Sequence, residues 1–283
     1  MNIQQKGWLQ KRFSRAFGYS LLILTSLFLI SPVFFMSVAS FKLDAEYMSY
    51  PIVVFPEIWH WENYGLVFTM TPFAQIALRT GVLAVGTATI TALVSSLVGY
   101  AFARYSVPGS SQLFGVVVAM LIVPFIVILI PQFIIYSRLK LTNTYWPWIL
   151  GALGGTPFYI FMFRQFFLGF PRELEEAAEV DGCGPFRIFL QIFLPNAKPV
   201  FATVMIFAII GVWGDYLTPS IYLSINKTLL GVALTAAFKN PQGVDLKTVS
   251  LAASVIYILP LIVVFFFGQK YILQGVVTSG LKG

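Results

Sequence analysis

Five of the 11 acidic residues in this 283-residue chain fall within residues 173–181: Glu173, Glu175, Glu176, Glu179 and Asp181. Carboxylates at that density must be solvated or paired. Catalytic partners for them are scarce. The single cysteine, Cys183, rules out an intrachain disulfide and a cysteine-based metal cluster. The single histidine, His60, lies between Trp59 and Trp61 in a loop and suits an interfacial or packing role. There is no Gly-Lys dipeptide, so no Walker A loop cradles nucleotide phosphates. One other acid stands out. Asp215 lies inside a long apolar block, where an ionisable residue is functional by default. It is flanked by Trp213 and Tyr216. Pairing with another subunit, or simple nearness to water, would explain Asp215 as well.

The elements that position these residues are apolar. The chain is 58% hydrophobic and 10% charged, against roughly 45–50% and about 25% in soluble domains. Its apolar residues form six blocks, at 16–40, 73–102, 113–137, 145–167, 200–224 and 248–271. Each matches the roughly 20 residues a helix needs to span a bilayer, and none alternates as a barrel strand does. The fold class is therefore all-α: one polytopic membrane domain with six transmembrane helices. Lys11, Arg12 and Arg15 precede the first block, and residues 38–40 read Val-Ala-Ser, like a signal-peptidase site. Its apolar run outlasts the roughly 7–15 residues of a cleavable signal, which favours a retained helix. The net charge of +7 flanks these blocks and forms no stripe, so nucleic acid is not expected as a partner. With both termini inside, Lys42, Arg79, Arg138, Lys140, Lys227, Lys239 and Lys247 are external and the other 11 of the 18 basic residues are internal. Trp59, Trp61, Trp146 and Trp148 suit the membrane–water interface.

Residues 168–198 would then be a cytoplasmic loop. Pro171 can open a helix, and the acids after it sit at the positive end of the helix dipole. Leu174, Ala177 and Ala178 give a small apolar face, and Gly182, Gly184 and Pro185 end the helix. A second short helix has Phe186, Phe189, Leu190 and Phe193 on one face and Arg187 and Gln191 on the other, and Pro195 stops it. This helix–turn–helix would lie along the membrane surface, with the two alanines allowing close approach by another protein.

Here the chain resembles a known family. Glu176-Ala177-Ala178, Gly182 and Ile192-Phe193-Leu194-Pro195 match the EAA motif of ABC-importer permeases at every spacing, and Asp181 before the glycine is usual there. Cys183 replaces a residue that is commonly alanine. Weaker likenesses extend over most of the chain: Leu141-Thr142-Asn143-Thr144-Tyr145, Pro171-Arg172-Glu173-Leu174, Trp213-Gly214-Asp215-Tyr216 and the tail at 275–283. They resemble the carbohydrate-uptake branch and its MalG-like subunit. The resemblance implies a type I ABC importer permease fold and a cytoplasmic coupling helix at 174–182. It implies a non-catalytic subunit without cofactors of its own, ATP and Mg being bound by a partner ATPase. A second, MalF-like permease, two ATPases and an extracytoplasmic substrate-binding protein would complete the machine in the bacterial inner membrane. Leu174, Glu176, Ala177, Ala178, Asp181, Gly182 and Pro195 would serve coupling, with Glu176 the leading polar contact. Trp213, Asp215 and Tyr216 would line the path of a sugar or glycoside: an oligosaccharide, a glycoside osmolyte or a glycerol-phosphate compound. In the maltose system, substrate contacts come mainly from the other permease subunit.

Three rivals lack a sequence basis of similar weight. A carrier driven by an ion gradient would show internal repeats and leaves the acidic loop unexplained. A membrane enzyme would need a catalytic cluster. A scaffold gives no reason for the motif spacing.

Overall fold

The computed structural model describes residues 3–236 and 238–280, with side chains from 14–236 and 238–271. The side chains of Lys6, Lys11 and Arg12, residue Lys282, and the side chains of the 275–283 tail lie outside the described residues. The chain divides into two compact units, Met1–Thr71 with Ala237–Ile258, and Pro72–Ala236 with Leu259–Gly283. Among the described residues the structure is helical, with one isolated bridge between Lys239 and Asp245.

The first unit holds α1 (Ile3–Ala39), α2 (Asp44–Tyr47), α3 (Glu62–Met70) and residues of a later helix that begins at Lys247. From Phe17 to Phe35, α1 presents large apolar side chains to its surroundings. A surface of that kind belongs against lipid or another chain. Beyond α1 the chain is tied by polar contacts. Asn63 is buried and its amide donates to the carbonyls of Ser40 and Lys42, both at 2.9 Å. Phe41 packs against Trp59, Trp61 and Tyr64, with ring centroids 4.6–5.1 Å away. His60 pairs with Glu62 beside that group. The Asp44 carboxylate accepts from the Thr248 amide and hydroxyl at 2.7 and 2.8 Å, at the N-terminal turn of the helix that begins at Lys247.

The second unit is built on α4 (Phe73–Arg104). It continues through α5 (Ser110–Ala119), α6 (Phe125–Arg138), α7 (Trp146–Leu153), α8 (Pro157–Leu168), α9 (Glu173–Val180), α10 (Pro185–Ile188), α11 (Leu194–Asn196), α12 (Lys198–Trp213), α13 (Leu217–Tyr222) and α14 (Leu230–Ala236). Helix α15 (Lys247–Gly280) has its later residues here. α8, α12 and α7 pack along α4. α4 and α8 cross closely at Gly99, where a Cβ would lie 2.7 Å from Phe163 Cβ and 3.0 Å from the Arg164 nitrogen. Below that crossing Tyr100, Phe163, Phe167, Phe189 and Phe193 form an aromatic core.

Among the described residues three helices are long and apolar enough to cross a membrane, at Ser14–Ala39, Phe73–Arg104 and Lys247–Tyr271, and the number reaches five if each of two bent helix pairs is one span. The apolar blocks are thus less continuous than their composition suggests. The third block breaks between α5 and α6 with a 101° bend. Val123 is extended there because Pro124 follows it. The fourth block breaks between α7 and α8, where Gly155 has φ +68° and Thr156 is extended before Pro157. The fifth block ends its first helix at Trp213 and resumes only as α13.

Alanine at position 99 would force α4 and α8 apart. We expect Gly99→Ala to cost the detergent-purified chain about 1–3 kcal/mol, read as a lower thermal midpoint. Gly86→Ala, with nothing within 4 Å of the new methyl, is the control that should not lower it.

Candidate functional site

The acidic segment folds as a helix with a built stop. α9 runs Glu173–Val180, one residue earlier at its start than the 174–182 span read from sequence. Glu173, Glu175 and Glu176 fill its first turn, at the positive end of its dipole. At the other end the Cys183 amide donates to the Ala178 carbonyl at 2.9 Å, and the Gly182 amide to the Glu179 carbonyl at 3.0 Å. Gly182 has φ +75°. This is a Schellman stop, which asks for glycine at that position.

The two faces of α9 differ. Ala178 is 7% exposed and packs into the aromatic core, so it is not available to another protein as the sequence reading expected. Ala177, Glu176 and Asp181 are exposed, and so are Leu174 at 45% and Val180 at 88%. Val180 was missed, although it follows Leu174 and Ala177 at helical spacing. Glu175 turns inward and pairs with Arg104 of α4, Nε to Oε2 at 3.6 Å.

The second half of the loop also departs from expectation. Phe189 and Phe193 are buried, but Phe186 and Leu190 are exposed, and Ile188 takes the inner place. Arg187 Nε donates to Gln191 at 3.1 Å on the outer face, as anticipated. Pro195 does not stop the helix. A π turn at Phe189–Phe193 precedes it and α11 carries it on to Asn196. In a regular α-helix the proline ring would meet the carbonyl four residues back, and the wider π turn avoids that clash.

Asp215 sits in the break between α12 and α13. Its Oδ1 accepts from the Thr218 amide at 3.0 Å, so it caps α13. Gly231 lies against it: a Cβ there would stand 2.6 Å from the Asp215 carbonyl oxygen. The sequence offered no local signal for that contact. Asp215 also lines a cavity of ≈ 260 Å³ with Thr87 and Thr91 of α4, Gln132 of α6, Trp148 of α7, Thr156 and Thr218. About half of the wall is apolar, from Ala88, Phe125, Pro147, Ala152, Ala208 and Val212 among others, and the polar part is four threonine hydroxyls, one amide, one carboxylate and one indole. Trp148 is buried, and its Nε1 has no hydrogen-bond partner. The other two pathway candidates do not line the cavity. Trp213 is buried, its ring near Gly81, and Tyr216 is half exposed. Among the described residues no three His, Cys, Asp or Glu side chains converge as a metal site.

Residues 94–278 match the family described as binding-protein-dependent transport system inner membrane component, and the chain belongs to that family. It is a multi-pass membrane protein. It is 32% identical to the arabinooligosaccharides transport system permease protein AraQ of Halalkalibacterium halodurans, over 90% of this chain and 91% of that one. It is 31% identical to the diacetylchitobiose uptake system permease protein NgcG of Streptomyces coelicolor, over 95% of this chain and 89% of that one. Its fold is shared with a solved chain of a bacterial ABC transporter involved in the import of the acidic polysaccharide alginate, with TM-score 0.76, 21% identity, and 93% and 97% of the two chains covered.

Asparagine at 215 keeps a capping acceptor and alanine does not. Asp215→Ala should therefore lose about 1 kcal/mol more stability than Asp215→Asn, measured as thermal midpoints side by side. Equal midpoints would mean that the cap contributes nothing.

Proposed function

We propose that this chain is one of two permease subunits of an ATP-driven importer that moves a sugar or glycoside across the bacterial inner membrane by alternating access. The substrate class takes in oligosaccharides, glycoside osmolytes and glycerol-phosphate compounds. Its support is the relatives' printed substrates, an arabinooligosaccharide and diacetylchitobiose among them. The mixed wall around Asp215, apolar side chains with neutral hydroxyl and amide groups between them, suits the same class. The ion-gradient alternative gains no support from relatives that are permease proteins by name.

The observation that carries the coupling role is the outward face of α9. Leu174, Glu176, Ala177, Val180 and Asp181 stand exposed on a helix that is seated on the core by Ala178 and whose end is fixed by Gly182. An ATPase cleft would take the apolar strip, with Glu176 as its leading polar contact and Pro195, exposed on the return segment, serving coupling with them. ATP and Mg would be bound and ATP hydrolysed by two such ATPases. A second, MalF-like permease and an extracytoplasmic substrate-binding protein complete the assembly. Six crossings follow if the bent pairs and the α7–α8 pair each span the bilayer once, with both termini cytoplasmic. Asp215 would line the sugar path.

The test is affinity purification in mild detergent followed by mass spectrometry. An ATPase and a second permease should come with the chain, and repeated recovery of the folded chain alone would overturn the reading. Glu176→Lys and Gly182→Asp should reach the membrane yet abolish transport-coupled ATP hydrolysis, and normal transport by either would remove α9 from the coupling role. Asp215→Asn should reduce uptake with ATPase binding intact, whereas unchanged uptake would leave Asp215 a helix cap only.

A further inference from the structure

One side chain touches the acidic loop at three places. The Arg104 guanidinium, at the end of α4, donates through Nη2 to the Phe170 carbonyl at 2.8 Å, just before α9 begins. Its Nε lies 3.6 Å from Glu175 Oε2 in the first turn of α9. Its Cζ stands 4.8 Å from the centroid of Phe193, on the segment that leaves the loop. The group is nearly dry, with the Arg104 side chain 5% exposed and that of Glu175 15%. Nε is buried and makes no hydrogen bond, so its link to Glu175 is an ion pair. A planar cation with donors in fixed directions and a face for an aromatic ring can hold three such neighbours at once, and a lysine ammonium cannot.

We propose that Arg104 is a positioning residue that makes α9 and α4 move together, so that the state of the ATPase reaches the cavity through α4. The inference rests on the coupling role proposed for α9. Thr87 and Thr91 of the cavity wall lie on α4, 17 and 13 residues before Arg104, or about 20–25 Å along one helix. The neighbouring contacts explain why the arginine is separable from folding. Tyr100 packs on Phe189 and Phe193 with centroids 5.3 and 4.7 Å away, and its hydroxyl donates to the Pro185 carbonyl at 3.4 Å. That aromatic bed seats the loop without Arg104. What the guanidinium adds is the fixed angle between the loop and the helix end.

The test uses the assembled importer, with Thr91→Cys as reporter and Cys183→Ser removing the native thiol. The rate at which a small methanethiosulfonate reagent labels position 91 is read without nucleotide and after trapping with ATP and vanadate. In this parent the trapped state should change the rate about fivefold or more. Arg104→Lys should still co-purify with the ATPase and still trap vanadate, but lose that change. Glu175→Gln should do the same, and the double variant should lose nothing further, because both act on one link. A full nucleotide-dependent change in Arg104→Lys, or independent losses in the pair, would overturn the proposal. So would failure of Arg104→Lys to hold the ATPase, which would make Arg104 part of the docking framework. A parent that traps vanadate with no change at position 91 overturns the route through α4 alone. A parent that contains no ATPase refutes the importer reading instead.

Discussion

Small side chains along one face of α4 decide how near its neighbours can come. Ala84, Ala88, Thr91, Ala92, Ser95, Ser96 and Gly99 are buried along a single helix, at the spacings of three and four that keep one face turned inward. In a bilayer, helices gain little from hiding apolar surface from one another, and close backbone contact has to supply the attraction. Gly99 permits the approach of α8, and Ser95 receives the Thr156 amide at 3.1 Å where α8 begins. At the other end the Thr80 hydroxyl accepts from the Leu230 amide at 3.0 Å, which draws α14 onto the same helix. The aromatic core, the cavity wall and the attachment of the acidic loop all depend on α4 being unbroken and closely flanked.

That dependence gives the loop its character. A helix of eight residues would be unstable alone. α9 persists because Ala178 is packed on the aromatic core, Glu175 is paired and the Gly182 turn closes its end. Once its inner face is committed, its outer face can be shown as a rigid strip. The same division applies to Asp215, whose one oxygen fixes the start of α13 while the residue lines the cavity.

The loop was legible in the sequence because it is polar among apolar blocks and its residues are local to one another. Glu176, Ala177, Asp181 and Gly182 took the places that spacing implied. Which alanine faces inward was not legible, because Leu174, Ala177 and Ala178 read as one apolar face until the core beneath it is known. Pro195 misled for a related reason: a proline usually ends a helix, but a π turn ahead of it removes the clash. The breaks in the third and fourth blocks coincide with Pro124 and Pro157, yet Pro131 and Pro260 sit inside continuous helices. Proline alone could not tell the two cases apart. Arg104 with Glu175 and Gly231 with Asp215 join residues far apart in the chain, and no periodicity points to them. The small-residue face of α4 was present as a spacing, but it is concealed in a block where nearly every residue is apolar.

The central claim is that α9 offers one defined face to an ATPase, and cross-linking at two adjacent positions tests it most directly. Cysteine would be placed at Ala177 or at Ala178 in a Cys183→Ser background, and the purified complex treated with a short bifunctional reagent. Ala177→Cys should cross-link to the ATPase, and Ala178→Cys, facing the core, should not. Equal yields at both positions, or no ATPase product at Ala177→Cys in a complex that contains the ATPase, would contradict the account.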